Sequence, residues 1–135
     1  MKLINTLTVI TWFVVMLVAC GGTGGDPLNG TSWELYSMGK YSPIAGSRIT
    51  INFKDGQVNG NSGCNTYGGD YQLNGDKIEF GMLMSTLMAC ADPAMMEQES
   101  IFMQYLGGTR SFEIVDGQLQ IYGSEGEALT FVPAQ

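Results

Sequence analysis

Apolar and polar residues alternate in short runs along most of this chain. Ile49, Ile51 and Phe53 alternate with Thr50 and Asn52, the period of two expected of a strand with one buried face. Lys54-Asp55-Gly56 then supplies a tight turn, because hairpin turns need positive φ, which Gly and Asp accept more readily than residues with a bulky Cβ. The same pattern recurs at Tyr71 and Leu73 before Asn74-Gly75-Asp76, at Ile78 and Phe80 after it, and at Phe112 and Ile114 before Asp116-Gly117. Leu119 and Ile121, then Leu129 and Phe131, carry it to the C-terminus. Sequential hairpins of this kind predict an antiparallel meander from Leu28 onward.

One segment departs from that period. Asp92 is a suitable N-cap and Pro93 suits the first helical position, while Met95, Phe102 and Leu106, joined by Met103 or Tyr105, recur near helical spacing until Gly107-Gly108. The spacing predicts one helix over about 93–107. Strands before and after a single helix predict a mainly β fold, an antiparallel, barrel-like curved sheet with the helix over one end or face. Between Asn59 and Gly69 lie four glycines and three asparagines. That stretch is read as a bulged turn, or a close approach of another segment, that places Cys64 against the core.

The N-terminus obeys a different logic. Lys2 precedes a run from Leu7 to Ala19 that is apolar apart from two threonines, which matches the n-region and h-region of a signal peptide. Lys2 and Asn5 on one side and the glycines after Cys20 on the other leave little room for a span of about 20 apolar residues. Leu17-Val18-Ala19-Cys20 resembles a lipobox, so the expectation is a signal peptide at 1–19, a lipidated Cys20 with a Gly-rich tether at 20–28, and one domain at 29–135. Two or more acyl chains anchor stably, at about 0.8 kcal/mol per buried methylene. Gly21, rather than an aspartate, follows Cys20, which by resemblance to enteric-type sorting favours the outer membrane as the address. Loss of the leader removes Lys2 and makes a formal charge of −7 still more negative. So acidic a chain is not expected to bind nucleic acid or to dock on anionic headgroups through basic patches.

Four words of the domain resemble those of a known family. They are Gly30-Thr31-Ser32-Trp33-Glu34-Leu35, Gly63-Cys64-Asn65-Thr66-Tyr67-Gly68-Gly69, Ser85-Thr86-Leu87-Met88-Ala89-Cys90 and Met96-Glu97-Gln98-Glu99. In this order and behind a lipobox they resemble the META domain, or HslJ-like lipoprotein, family over about residues 29–132. The resemblance singles out Trp33, Gly63, Cys64, Asn65, Gly69, Thr86, Cys90 and Glu99 as motif positions. It implies a barrel-like sheet with one helix, an envelope location and a loose link to stress or antibiotic tolerance, and it implies no catalytic activity.

The chemistry of the side chains narrows function further. With Cys20 lipidated, Cys64 and Cys90 are the remaining thiols in an oxidising compartment. A disulfide between them is favoured over two buried reduced thiols, and closing a loop of about 25 residues would stabilise the fold by roughly 3 to 4 kcal/mol. The chain has no histidine, which removes the commonest general base, the usual nucleophilic triads and most zinc sites. Asp70, Glu97 and Glu99 remain as carboxylates for a glycosidase-like pair. For Glu97 and Glu99 the favoured role is complementing the helix dipole from its first turns. Trp33 is read as a core anchor of the first strand rather than a ligand platform. Met82, Met84, Met88, Met95, Met96 and Met103 form an excess within a short span. Core filling is the favoured role, ahead of an adaptable interaction surface and of copper(I) binding.

Together these features predict a monomeric, non-enzymatic envelope accessory protein without cofactor, held to a membrane by lipid and acting on another envelope protein. A carrier of a small apolar ligand in a barrel cavity is the alternative. A protease or peptide inhibitor comes third.

Overall fold

The computed structural model describes residues 24–135. The expected leader at 1–19, Cys20 and the tether residues up to Thr23 lie outside the described residues. From Leu28 the chain builds nine strands and one helix: β1 (Thr31–Met38), β2 (Thr50–Lys54), β3 (Gln57–Asn61), β4 (Thr66–Asn74), β5 (Lys77–Phe80), β6 (Met84–Ser85), α1 (Pro93–Gly107), β7 (Thr109–Val115), β8 (Gln118–Gly123) and β9 (Ala128–Pro133). Neighbours run in the order β3-β2-β1-β9-β8-β7-β5-β4, and β3 also pairs with β4. The eight strands therefore close into an antiparallel barrel, while β6 adds a short pairing to the early part of β4. Closure at the β5 to β7 seam rests on one paired position, Lys77 with Ser111, and on Phe112 N–H donating to the Asp76 carbonyl at 2.9 Å.

The expected turns form where positive φ is available. Asp55 and Gly56 have φ of 52° and 76°, and Asp116 and Gly117 have 51° and 75°, the geometry of two-residue hairpins that follow the strand twist. Alternation then sends Leu35, Ile51, Phe53, Val58, Ile78, Leu119, Ile121, Leu129 and Phe131 inward, all buried. The aromatic rings interlock. Phe53 meets Tyr71 edge to face with centroids 5.0 Å apart and stacks on Phe80 at 6.4 Å, and Tyr67 meets Phe102 at 5.7 Å. Trp33 is buried and its indole N–H donates to Thr31 Oγ1 at 2.8 Å, which satisfies the ring's polar edge inside the apolar layer. The alternation fails at the distal tip of β7, where Ile114 and Val115 are exposed beside the Asp116-Gly117 turn.

Each mouth of the barrel is closed differently. At the end carrying the β2–β3 turn, Leu28 is fully buried. Asp26 holds it there, accepting from Leu28 N–H at 2.8 Å through Oδ1 and from the Tyr71 hydroxyl through Oδ2. At the opposite end lies α1, whose N-cap Asp92 accepts from Ala94 N–H at 2.9 Å with Pro93 in the first turn. Gln98, Phe102 and Leu106, spaced four apart, are its buried face, so one stripe of the helix plugs the mouth.

Two glycines are required by close approach. A Cβ on Gly60 would stand 1.9 Å from the Thr50 carbonyl oxygen, and one on Gly69 would stand 2.7 Å from the Met82 carbonyl oxygen. The Gly-rich stretch thus brings β2 against β3 and lays the segment before β6 along β4. Cys64, expected against the core, is half-buried, whereas Ser62 and Asn65 beside it are buried.

Candidate functional site

The densest polar cluster sits where the β3–β4 turn meets α1. Asn61 Oδ1 accepts from Gly63 N–H at 2.8 Å, a local turn made by an Asn side chain, and Gly63 has a φ of 124°. Ser62 N–H donates to the Asn65 carbonyl at 2.8 Å, and the Ser62 hydroxyl lies 2.9 Å from the same oxygen, with its single proton directed to Glu99. This folds the turn so that its donors point at one carboxylate. Glu99 Oε2 accepts from Ser62 Oγ at 2.8 Å, Cys64 N–H at 3.1 Å and Asn65 N–H at 2.7 Å, and Oε1 accepts from Asn65 Nδ2 at 2.6 Å. Burial alone would raise the Glu99 carboxyl, but these bonds from Asn65, Ser62 and Cys64 outweigh it and hold the group below the usual carboxylate range.

Asn65 extends the cluster toward the segment after β6. Its Oδ1 accepts from Thr86 Oγ1 at 2.8 Å and Met88 N–H at 2.7 Å, and its Nδ2 also donates to the Met88 carbonyl at 3.3 Å. Cys64 and Cys90 close the same junction with a disulfide whose Cα atoms are 5.9 Å apart. Six of the eight motif positions, Gly63, Cys64, Asn65, Thr86, Cys90 and Glu99, thus meet in one clasp, while Trp33 lies in the core and Gly69 on the barrel wall. The expected role of Glu99 at the helix dipole is corrected by this geometry. The first turn of α1 holds no acidic residue, Glu97 is exposed, and Glu99 reaches off the helix to the β3–β4 turn.

Gln98 was not singled out by sequence reasoning and does comparable work. It is buried, accepts from Ile44 N–H at 2.6 Å and donates to Ser47 Oγ at 3.0 Å, tying the β1–β2 loop to α1. The signal available was its place between Glu97 and Glu99 in one family word. Every buried side-chain polar atom among the described residues has a partner, and both carboxylate oxygens of Glu99 are engaged by donors of the clasp. Asp70 instead accepts from Gln57 Nε2 on the barrel wall. Among the described residues no group of three His, Cys, Asp or Glu side chains converges as a metal site would require.

What the clasp does is display the chain beside it. The segment from Gly81 to Ala91 carries no charged residue. Leu87 is 96% exposed, Met82 84%, Met84 71% and Met88 59%, with Met96 of α1 at 48%. Core filling by these methionines is therefore corrected. Only Met95 and Met103 of the group are half-buried, and Met103 packs on the core. The reason is geometric: Gly69 lets the Met82 backbone lie directly against β4, and Leu83 takes the inward position. Met82 and Met84, two residues apart in extended chain, both face a depression of about 630 Å³ that also includes Thr66, Asp70 and Thr86.

Two further surface depressions occur. One of about 510 Å³ lies between α1 and the β8–β9 turn and is lined by Tyr41, Ile101, Tyr105, Glu125 and Glu127. The other, of about 620 Å³, lies by the β5 to β7 seam and is lined by Leu73, Lys77, Glu79 and Arg110. None of the three depressions is lined by Trp33, Phe53, Phe102, Phe112 or Phe131, whose side chains fill the barrel.

The fold is shared with known proteins. Similar solved structures include a protein from Burkholderia xenovorans determined by NMR, at 30% identity and a TM-score of 0.65, covering 80% of this chain and 84% of that one. A second protein determined by NMR is 21% identical with a TM-score of 0.64, over 78% of this chain and 91% of that one. A DUF4847 family protein from Bacteroides vulgatus, 14% identical with a TM-score of 0.59, matches in fold over 78% of this chain and 94% of its own. No curated protein matches the sequence. The META domain family model matches residues 26–135, which spans the barrel, the clasp and the displayed methionine segment, and this chain belongs to the META domain family.

Proposed function

We propose that this protein is a lipid-anchored accessory protein of the cell envelope that performs no catalysis and acts by contact with another envelope protein through its Met82–Met88 surface. The observation that carries the reading is that uncharged surface, exposed at Met82, Met84, Leu87 and Met88 yet held by the Asn65 and Glu99 bonds and the disulfide. Exposed large apolar groups grouped on one face mark interaction sites in soluble domains, and thioether side chains adapt to varied apolar partners.

The direction of the surface supports a protein partner. Asp26 and Leu28 lie at the barrel mouth opposite α1, and a chain from Cys20 to Asp26 reaches at most about 20 Å when extended. Lipid on Cys20 would therefore hold the Leu28 end toward its membrane, leaving Leu87, Met88 and Met96 turned away from it. A barrel filled by Phe53, Phe102 and Phe131 favours this reading over a carrier of apolar ligands. The resemblance of the motifs adds envelope stress as the setting and Gly21 adds the outer membrane.

A photo-cross-linking residue at Leu87 in the membrane-bound protein tests the contact. A discrete protein adduct is expected there and not from Ile114, an exposed apolar control at the opposite end. Equal adducts from both sites, or none from Leu87, would refute it. Cys20→Ala should move the protein into the soluble fraction, and retention in the membrane would refute the anchor.

A further inference from the structure

The most reactive groups on the displayed surface are its thioethers. Of the large apolar side chains exposed on that surface, Leu87 alone contains no sulfur. Faster-reacting free thiols do not compete nearby, because Cys64 and Cys90 are joined. Trp33 is buried, and Met38, at 4% exposure, is shielded inside the barrel. The described methionines therefore fall into an accessible set, Met82, Met84, Met88 and Met96, two half-buried ones, Met95 and Met103, and the buried Met38.

We propose that these four methionines form an oxidant-accepting modification site, converted selectively to sulfoxides and back while the barrel stays folded. The step is a two-electron oxidation at sulfur. With hypochlorous acid, the thioether gains one oxygen in a new S=O bond, and the oxidant is reduced to chloride with release of a proton. Reversal requires a methionine sulfoxide reductase, in which two thiols become a disulfide and the oxygen leaves as water. Selectivity follows from position: a hypohalous acid reaches exposed sulfur directly, whereas Met38 reacts only when the barrel opens, an event with a large free-energy cost in a packed core.

The fold should tolerate the change for the same reason. Sulfoxide formation disrupts proteins when the sulfur is in a core, because a flexible apolar side chain becomes a polar one. None of the four thioethers is buried, and the clasp that fixes the segment is made by Asn65, Thr86, Glu99 and the disulfide, with Met88 contributing only backbone groups. The chemistry is thus confined to the displayed face. Resting on the contact reading above, this conversion would turn an apolar docking face polar and end the contact.

Graded hypochlorous acid on the full-length protein, followed by peptide mass spectrometry and near-ultraviolet circular dichroism, tests the site without reference to any partner. Oxygen should appear at Met82, Met84, Met88 and Met96 at least about tenfold faster than at Met38, with the tertiary spectrum unchanged, and a sulfoxide reductase should remove it. Met38 reacting as fast, a spectrum lost with the first oxidations, or sulfoxides that resist the reductase would each overturn the proposal. A Met82→Leu, Met84→Leu, Met88→Leu and Met96→Leu variant keeps the face apolar and should take up no oxygen at these positions. In that variant any Leu87 cross-link should survive oxidant that abolishes it in the wild type. Failure of the wild-type cross-link before oxidation refutes the contact alone, and the oxidation map still decides the modification site.

Discussion

Replacing Glu99 by Gln probes whether the clasp is what ties α1 to the β3–β4 turn. The carboxylate takes four donors, three of them on Oε2. An amide of the same shape has one oxygen and no charge. If that oxygen takes the place of Oε2, bonds to an ionised acceptor become neutral ones, falling from about 1.5–3 kcal/mol each to about 1 kcal/mol. The new NH2 then faces Asn65 Nδ2, itself a donor. Asn65 cannot rotate to offer its oxygen, because Oδ1 is already engaged by Thr86 Oγ1 and Met88 N–H. Simple addition would overstate the loss, since the bonds share one group and Glu99 is only half-buried. A net cost of about 2 kcal/mol is expected, which for a domain of this size lowers Tm by about 8 °C.

The pH dependence gives the prediction a second, independent handle. The hydrogen bonds hold the folded Glu99 carboxyl below its ordinary value. An unfolded glutamate, at about 4.3, therefore takes up its proton first as pH falls. The stabilisation is present above that range and lost as pH drops through the depressed folded value. Glu99→Gln has nothing to lose there, so its deficit should be full at pH 7 and shrink as the solution is acidified below about pH 4. Urea unfolding at several pH values, followed by circular dichroism, measures both. A deficit under about 0.5 kcal/mol at pH 7, the range of a neutral surface change, or a deficit that does not vary with pH, would refute the assignment of Glu99 as the centre of the clasp.

Other substitutions test separate parts of the structure. Cys90→Ser should cost about 3 kcal/mol by releasing a cross-link in the unfolded chain, and reductant should lower the Tm of wild type but not of the variant. Gly60→Ala places a Cβ 1.9 Å from the Thr50 carbonyl, so loss of more than about 3 kcal/mol, or of folded yield, is expected against a near-neutral Gly107→Ala at the exposed end of α1, where an added Cβ meets nothing within 4 Å. Burial, and for Tyr71 also the bond to Asp26, raises the phenols of Tyr67 and Tyr71. An unfolded phenol ionises first, so stability should fall as pH rises past about 10; Tyr71→Phe should weaken that fall and cost about 1 kcal/mol at neutral pH through loss of the Asp26 contact. Asp92→Ala removes the acceptor for Ala94 N–H and should lower stability by about 1 kcal/mol, read from the same unfolding curves.

How much of this was legible beforehand depended on whether the cause was local. Turn residues such as Asp55-Gly56 and Asp116-Gly117 announce themselves because positive φ restricts composition at those positions alone. The helix was legible at Pro93–Gly107 because cap, first-turn proline and terminal glycine are fixed offsets in one stretch of chain. Barrel closure was legible only as a tendency, since the pairing of β3 with β4 and of Lys77 with Ser111 joins residues whose partners no periodicity names.

The sequence by itself therefore determined the period of each element, the turns between them and the family words. Tertiary structure decided what those words do. Glu99 looks like a charge near a helix start until the β3–β4 turn is placed against it, because four donors on one carboxylate come from residues more than thirty positions away. The methionines look like core until Gly69 is seen to seat the Met82 backbone on β4 and Leu83 takes the inward place. Hydrophobicity is a property of a residue, whereas burial depends on which other segments arrive to cover it, and here none of the described segments covers Met82, Met84, Leu87 or Met88.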